Sequence, residues 1–393
     1  MEPYTRQALE HIRYLSETIG GRGSTTQKVR DAGEYAAAAL SSAGVRQIDF
    51  EPFMGSPSTY LPYTMAFFAA VIGSAVALFV GNPAYLALGA VLNLLGTWAM
   101  LAESDFKPHW GHLALKKVRT QNVVGVVPPS GPATRRTVLF AHLDTHRTPI
   151  FFSSTRWQNI FTLLVTACFL SMALGFVLFG VAALFGWDWM RWCAVILLPV
   201  QIFALYLVGT ADQTPFNPGA NDDASGVGLM LALATRLKAE PLAHTTVTLL
   251  FTDCEETNAY GMRAFLDKHA AEYGPEAIYA TLDEMALGVI KWNTIDGLIV
   301  KHTTHPKALA LARSVARALP DIKTAEGPGP TYTDALPASM RGLISLTLCT
   351  VPEDEAHFGG YLHQMGDNFE HIDLATLEAA GRFTWELLRQ VDA

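Results

Sequence analysis

The chain has 393 residues, 50% hydrophobic and only 16% charged, with a formal net charge of −8 at pH 7. That length allows one large domain or two. The negative balance argues against a nucleic-acid partner and leaves no polybasic patch for an anionic lipid surface. Mean hydropathy, at +0.22, is high for a soluble protein. Of the cysteines, Cys168 and Cys193 fall inside long apolar runs and Cys254 and Cys349 lie elsewhere. A reducing compartment therefore fits better than a disulfide framework. The first residues, Met1 to Arg6, form no apolar run, so no cleavable signal peptide is expected.

In chain order, residues 10–19 read as a helix with Ile12, Leu15 and Ile19 on one face. Gly20 to Ser24 is a loop, and Ser24 or Thr25 is expected to cap a second helix that ends at Gly44. Residues 47–53 alternate like a strand. Between Pro52 and Ala102 there is no Asp, Glu, Lys or Arg. A bilayer crossing takes about 20 apolar residues. Two membrane helices are therefore expected, near 62–80 and 84–102, broken at Gly81-Asn82-Pro83. Residues 122–127 and 137–141 are β-rich. Two more charge-free runs predict spans near 159–185 and 192–211. Between them, Trp187 to Trp192 reads as an interfacial turn, since Trp favours the headgroup level. Helices are then expected at 225–237, 260–269, 306–319 and 374–391, and strands at 245–252, 278–283 and 343–350.

Without the two apolar hairpins, strands alternate with helices. The expected fold is α/β, a central mixed β-sheet flanked by helices on both faces. One domain would comprise residues 1–61, 103–157 and 212–393, with transmembrane hairpins at 62–102 and 158–211 inserted in two of its loops. The stretch 103–156 carries Lys107, Lys116, Lys117, Arg119, Arg135, Arg136, Arg147 and Arg156. The positive-inside rule then puts the polar domain in the cytoplasm, on a plasma or inner membrane. Small residues recur every fourth position at Gly73, Ala77 and Gly81 and at Ala167, Ser171 and Gly175. Such rows predict tight packing of the four spans or a homodimer seam.

Five scattered positions carry chemistry: His142 in His142-Leu143-Asp144, Asp222 in Asn221-Asp222-Asp223, Glu256 in Glu255-Glu256, Asp283, and His363, four residues before Asp367. Most lie at or just past an apolar run, where a strand delivers them to a sheet edge. Two histidines and three carboxylates suit a pair of zinc ions with one carboxylate bridging. Adjacent carboxylates past a strand point different ways, so one of Glu255 and Glu256 can bind metal while the other handles the proton of a water. Asp144 is positioned to accept the second ring N–H of His142 and fix its tautomer. Taken singly, each feature has an ordinary explanation as a cap, a turn residue or a solvated helix start.

The order of these motifs resembles the M28 family of di-zinc aminopeptidases, together with Ile19-Gly20-Gly21-Arg22-Gly23-Ser24 before a helix. The resemblance implies two Zn2+, with His142 and Asp283 on one or other ion, Asp222 bridging, and Glu256 and His363 completing the pair. It makes Glu255 the general base and implies a cis Asp222–Asp223 peptide; Glu255 and Asp144, the latter through His142, are the expected catalytic residues. The expected substrate is a peptide with a free N-terminus, and the second partner is the lipid bilayer. Three positions depart from the family pattern: Cys254 for Gly, Leu362 for Tyr before the last His, and Thr333-Asp334 without a following His. His357 rivals His363 as final ligand, and His146, His302 and His305 read as surface or supporting residues. Two alternatives remain: a single-zinc acyltransferase like the glutaminyl cyclases, and a non-catalytic binding protein on a peptidase fold.

Overall fold

Among the described residues, nine strands form one mixed sheet. They are β1 (Gln47–Gly55), β2 (Val118–Val127), β3 (Arg135–His142), β4 (Thr245–Thr252), β5 (Ile278–Leu282), β6 (Val289–Asp296), β7 (His302–Thr303), β8 (Thr324–Pro328) and β9 (Ile344–Val351). The computed structural model describes residues 2–353 and 360–393, so His357 lies outside the described residues. The spatial order is β1-β2-β4-β3-β5-β9-β6-β7, with β8 beside β6. At its centre β4, β3, β5 and β9 run parallel, flanked by antiparallel β2 and β6.

Parallel strands are covered on both faces, which explains the near-continuous apolar runs. In β3, Leu139 and Ala141 join one core, against the helices Ala224–Ala239 and Leu374–Asp392. Val138 and Phe140 point the other way, toward Met262, Phe265 and Leu266 of the helix Tyr260–Tyr273. This is the two-residue period of a strand between two layers. Because the four central strands are parallel, their carboxyl ends open on one edge. His142 ends β3, Asp253 follows β4, and Asp283 follows β5.

Most sequence-expected elements are present with ends moved by a few residues. The helix at 10–19 is instead an α-helix Pro3–Arg13 continuing into a π-helical turn Tyr14–Ile19. The second helix starts at Gln27 after Thr26, whose side chain makes no cap; Ser24 is spent elsewhere. β6, β8 and the two-residue β7 do not appear in the sequence reading. β6 buries Lys291 and Asn293, which break its apolar pattern; Lys291 Nζ donates to the Pro328 carbonyl and Asn293 Nδ2 to Asp296. β8 reads Thr-Ala-Glu-Gly-Pro and pairs only with β6.

The chain divides into two compact units, one of Met1–Pro57, Lys117–Thr148 and Pro215–Ala393, the other of Ser58–Lys116 and Pro149–Thr214. Residues 58–61, 103–116, 149–157 and 212–214, grouped by sequence with the polar domain, fall in the second unit. That unit holds four helical stretches long and apolar enough to cross a membrane: Leu61–Val80, Pro83–Glu103, Thr155–Phe185 and Asp188–Ala211. The expected interfacial turn is shorter than predicted, because helix resumes at Asp188. The rows of small residues pack within the chain. A Cβ on Gly89 would meet that of Ala77 at 2.6 Å, and one on Gly175 would meet Asn93 Oδ1 at 2.5 Å. Asn93, Ser74 and Gln201 form a buried hydrogen-bonded network that also reaches the Ser171 carbonyl, tying all four stretches together.

One buried cation organises the first unit. Arg22 is 1% exposed. Its guanidinium donates to the carbonyls of Leu143, Leu15, Gly20, Pro218 and Gly219 at 2.8–3.2 Å. These lie in the entry segment, the loop after β3, and the approach to Asp222. Removing the fork leaves five buried carbonyls without their donor and the nearby acids without their cation. Arg22→Met should therefore destabilise this unit by about 3–5 kcal/mol. A thermal melt should show a loss on the order of 10 °C, and Arg22→Lys should rescue only part of it, because an ammonium cannot reproduce the planar fork.

Candidate metal centre

Each site residue sits where a strand or helix ends. His142 is the last residue of β3, and its Nδ1 lies 2.9 Å from the Asp144 main-chain carbonyl. A carbonyl only accepts, so Nδ1 carries a hydrogen, and Nε2 is the ring atom that faces Asp222 and Asp283. The Asp144 carboxylate was expected to take this N–H, but its Oδ1 is 3.7 Å away. That carboxylate instead accepts from Ser24 Oγ at 2.6 Å and from the N–H groups of Glu255 and Glu256 at 3.2 Å. Asp144 thus fixes the loop carrying the glutamate pair.

Asp222 precedes the helix Ala224–Ala239, joined to Asp223 by a cis peptide bond. Asp223 caps that helix through the Gly226 N–H at 3.0 Å and accepts the His142 N–H at 3.1 Å. Gly226 is required here, since a Cβ would lie 2.0 Å from the Leu282 carbonyl of β5. Asp367 accepts from the N–H groups of Asn221 and Asp222 at 2.7 and 3.1 Å, which holds the Asp222 backbone. The step from His363 to Asp367 therefore links one imidazole to the support of the central carboxylate.

The five expected ligands gather into two groups that share Asp222. On one side, His142 Nε2 lies 3.1 Å from Asp222 Oδ1 and 3.8 Å from Asp283 Oδ1. On the other, His363 Nε2 lies 3.3 Å from Asp222 Oδ2 and 3.5 Å from Glu256 Oε2. Donors bonded at 2.0–2.1 Å to one tetrahedral zinc sit about 3.3 Å apart. Separations of 3.1, 3.3 and 3.5 Å lie close to that edge, so the donor set and its spacing both fit metal.

Glu255 is 6% exposed, and Tyr332 Oη contacts both its carbonyl and that of Glu256 at 3.4 Å. Sequence reasoning missed Tyr332, which no motif marks, and missed the role of Ser24 and Arg22. It also read His146 as a surface or supporting residue. His146 is buried, and its ring stacks on His363 with centroids 3.6 Å apart. His302 is half-buried in β7, and His305 caps the helix Pro306–Ala318.

Backbone strain concentrates here. Cys254, Asn258, Ala259, Glu284 and His363 all have positive φ between 48° and 91°. Non-glycine residues are rarely held there outside functional sites. The value of 64° at Cys254 explains why a glycine suits this position in the pattern resembled above.

Charge is the other signature. Burial pushes Asp253, Asp334 and Asp367 up to about 7 and Asp296 up to about 6. Burial also raises Glu255 and Glu256 well above the usual carboxylate range. Burial would raise Asp222 as well, yet His142 and His363 hold it far below that range. His142, opposed by burial, is drawn well up by Asp222 and Asp283. Burial and the adjacent His363 keep His146 well below its ordinary value, so it is neutral.

Residues 203–388 match the profile of peptidase family M28. No curated protein matches the chain. Among solved structures, a zinc aminopeptidase from Bacillus subtilis is similar over 98% of this chain and 95% of its own, at 14% identity and a TM-score of 0.59. An aminopeptidase from Aneurinibacillus sp. strain AM-1 is similar over 98% and 93%, at 13% identity and a TM-score of 0.58. A glutaminyl cyclase from Tannerella forsythia is similar over 98% of both chains, at 16% identity and a TM-score of 0.59. At such identities the likeness is one of fold, and it bears out the mixed-sheet, zinc aminopeptidase-like architecture.

The raised acids give the metal-free protein a pH signature. Asp253, Asp334 and Asp367 hold protons more tightly folded than unfolded. Their stabilisation is present below about pH 4 and is lost as pH rises through about 7. Zinc competes with protons for its ligands, and a bound cation offsets the buried negative charge most when neighbouring acids are ionised. The rise in melting temperature on adding zinc to chelator-treated protein should therefore be larger at pH 8 than at pH 5. Equal rises at both values would contradict the assignment.

Proposed function

With residues 203–388 matching the profile of peptidase family M28, we propose that this protein is a membrane-anchored di-zinc aminopeptidase. The observation that carries the reading is Asp222, whose two oxygens face two different imidazoles at 3.1 and 3.3 Å. A carboxylate so flanked suits a bridge between two ions. In this reading His142 and Asp283 would hold one ion, Glu256 and His363 the other, and Asp222 would serve both. Zinc, when bound, lowers the pKa of a water to about 7 and polarises the scissile carbonyl.

The remaining steps fall to the protein. Glu255, buried and with its N–H anchored on Asp144, takes a proton from the attacking water as oxygen bonds to the carbonyl carbon. It then delivers that proton to the amine nitrogen as the C–N bond breaks. Asp144 and Tyr332 hold the loop that aims Glu255. The surplus of buried carboxylates favours a substrate α-ammonium. Arg22, the buried guanidinium nearby, is committed to five carbonyls and does not serve a substrate carboxylate. A free N-terminus is therefore the recognised group.

The likeness to a glutaminyl cyclase favours a second reading, a single-zinc acyltransferase. Metal content and a substrate panel separate the two. The full-length protein in detergent should carry two zinc ions and cleave free-amine peptides much faster than N-acetylated ones. Glu255→Gln should keep both ions while kcat falls by ~10²–10⁴, and Asp222→Ala should lose metal together with activity. One zinc with cyclisation of N-terminal glutamine would overturn the peptidase reading.

The orientation proposed is catalytic unit and both termini in the cytoplasm, from the basic residues of 103–156. An impermeant thiol reagent applied to intact cells should then label single cysteines at Asn82 or Asp188 and not at Ser130. The reverse pattern would invert the topology.

A further inference from the structure

We propose that His146 is a sixth protein ligand of the metal centre, binding the ion on the Glu256–His363 side. The inference rests on the two-metal reading above and adds a donor to it. His146 Nδ1 lies 2.6 Å from the Arg147 carbonyl. That oxygen only accepts, so Nδ1 carries the hydrogen and Nε2 presents its lone pair. This is the arrangement that orients a metal-ligating imidazole, and the one His142 adopts through the Asp144 carbonyl.

His146 also lies close to the second group: its Nε2 is 3.9 Å from Glu256 Oε2, and its ring lies face to face with that of His363 at 17°, so a turn of one ring about its side-chain bonds brings both lone pairs onto one ion. One donor atom each from His146, Glu256 and His363 lies within 4.8 Å of the others. The backbone holds His146 in place: its carbonyl accepts from the Asn217 N–H at 3.0 Å, and the preceding Thr145 is bonded to Arg22 and Asn217.

A third His/Glu group shows what a non-ligating geometry looks like. His109 Nδ1 accepts the Gly111 N–H, so its Nε2 carries the hydrogen and donates to Glu103 Oε2 at 2.7 Å. That is hydrogen-bond spacing with the opposite tautomer, and it carries no metal assignment.

The centre is then asymmetric. One ion has a single imidazole and two carboxylates, His142, Asp222 and Asp283. The other has two imidazoles and two carboxylates, His146, His363, Glu256 and Asp222. Imidazole suits zinc, so the second ion should be the tighter held, and His146 should account for the difference.

The test compares wild type, His146→Phe and His146→Cys as full-length protein in detergent, measuring bound zinc by elemental analysis after dialysis against graded chelator. Phe retains a ring to stack on His363 but no lone pair, and Cys supplies a thiolate donor. Wild type should hold two zinc ions. His146→Phe should release one of them at chelator strengths at least ~10–100-fold weaker, while keeping the other on the His142 side as a sign of an intact fold. His146→Cys should recover much of the lost affinity. Zinc-edge X-ray absorption of wild type should fit three imidazoles per two ions. If His146→Phe keeps both ions at wild-type affinity, His146 is not a ligand, and the two-metal reading stands. If wild type itself holds fewer than two ions, that reading falls and this inference with it.

Discussion

The crowding of buried carboxylates at one sheet edge is the constraint on which the rest depends. Asp144, Asp222, Asp223, Asp253, Glu255, Glu256, Asp334 and Asp367 are all nearly inaccessible to water. An ionised carboxylate moved from water into a protein interior costs several kcal/mol unless compensated. Some compensation comes from main-chain N–H groups, as at Asp144, Asp223 and Asp367. Some comes from Arg22. The remainder is protonation or a bound cation. A fold selected only for stability would not assemble such a cluster, and the cluster suits the pair of cations proposed for it.

That arrangement follows from topology. Four parallel strands deliver their carboxyl ends to one edge, and each end there carries a site residue or leads into one. The strands are rigid and apolar, while the loops that follow them are strained. Positive φ at Cys254, Glu284 and His363 turns the chain sharply just where a side chain must point back over the sheet. The strain is held by the hydrogen bonds of Asp144 and Tyr332 on the glutamate loop and of Asp367 beneath Asp222.

Much of this was readable beforehand. The central strands announced themselves as apolar runs, and the four long helices as charge-free ones, because burial in a parallel sheet or in lipid demands uniform apolarity. Most of the five expected ligands could be picked out because they stand at or just past such a run, and His363 by its four-residue step to Asp367. What was not readable depended on contacts distant in sequence. Tyr332 acts on the glutamate loop from 76 and 77 residues away. Ser24 looks like a helix cap until Asp144 is seen to claim it. β6 hid because its buried Lys291 and Asn293 find partners only in the folded sheet.

The same distance explains how the fold accommodates its apolar insertions. Gly55 pairs with Val118 at the end of the β1–β2 ladder, so the first insertion leaves and returns at a closed pair of strands. The second leaves after Thr148 and returns at Pro215, where the Thr148 N–H donates to the Pro215 carbonyl and Arg147 bridges Phe216. With their ends already joined, insertions of this length add little loop-closure cost, which grows only with the logarithm of length. The second closure has a further consequence. It is the pairing of residues 146–148 with 215–217 that clamps the backbone of His146. The root of the second insertion thus doubles as the strut that holds the His146 imidazole against His363, through hydrogen bonds made within the first unit.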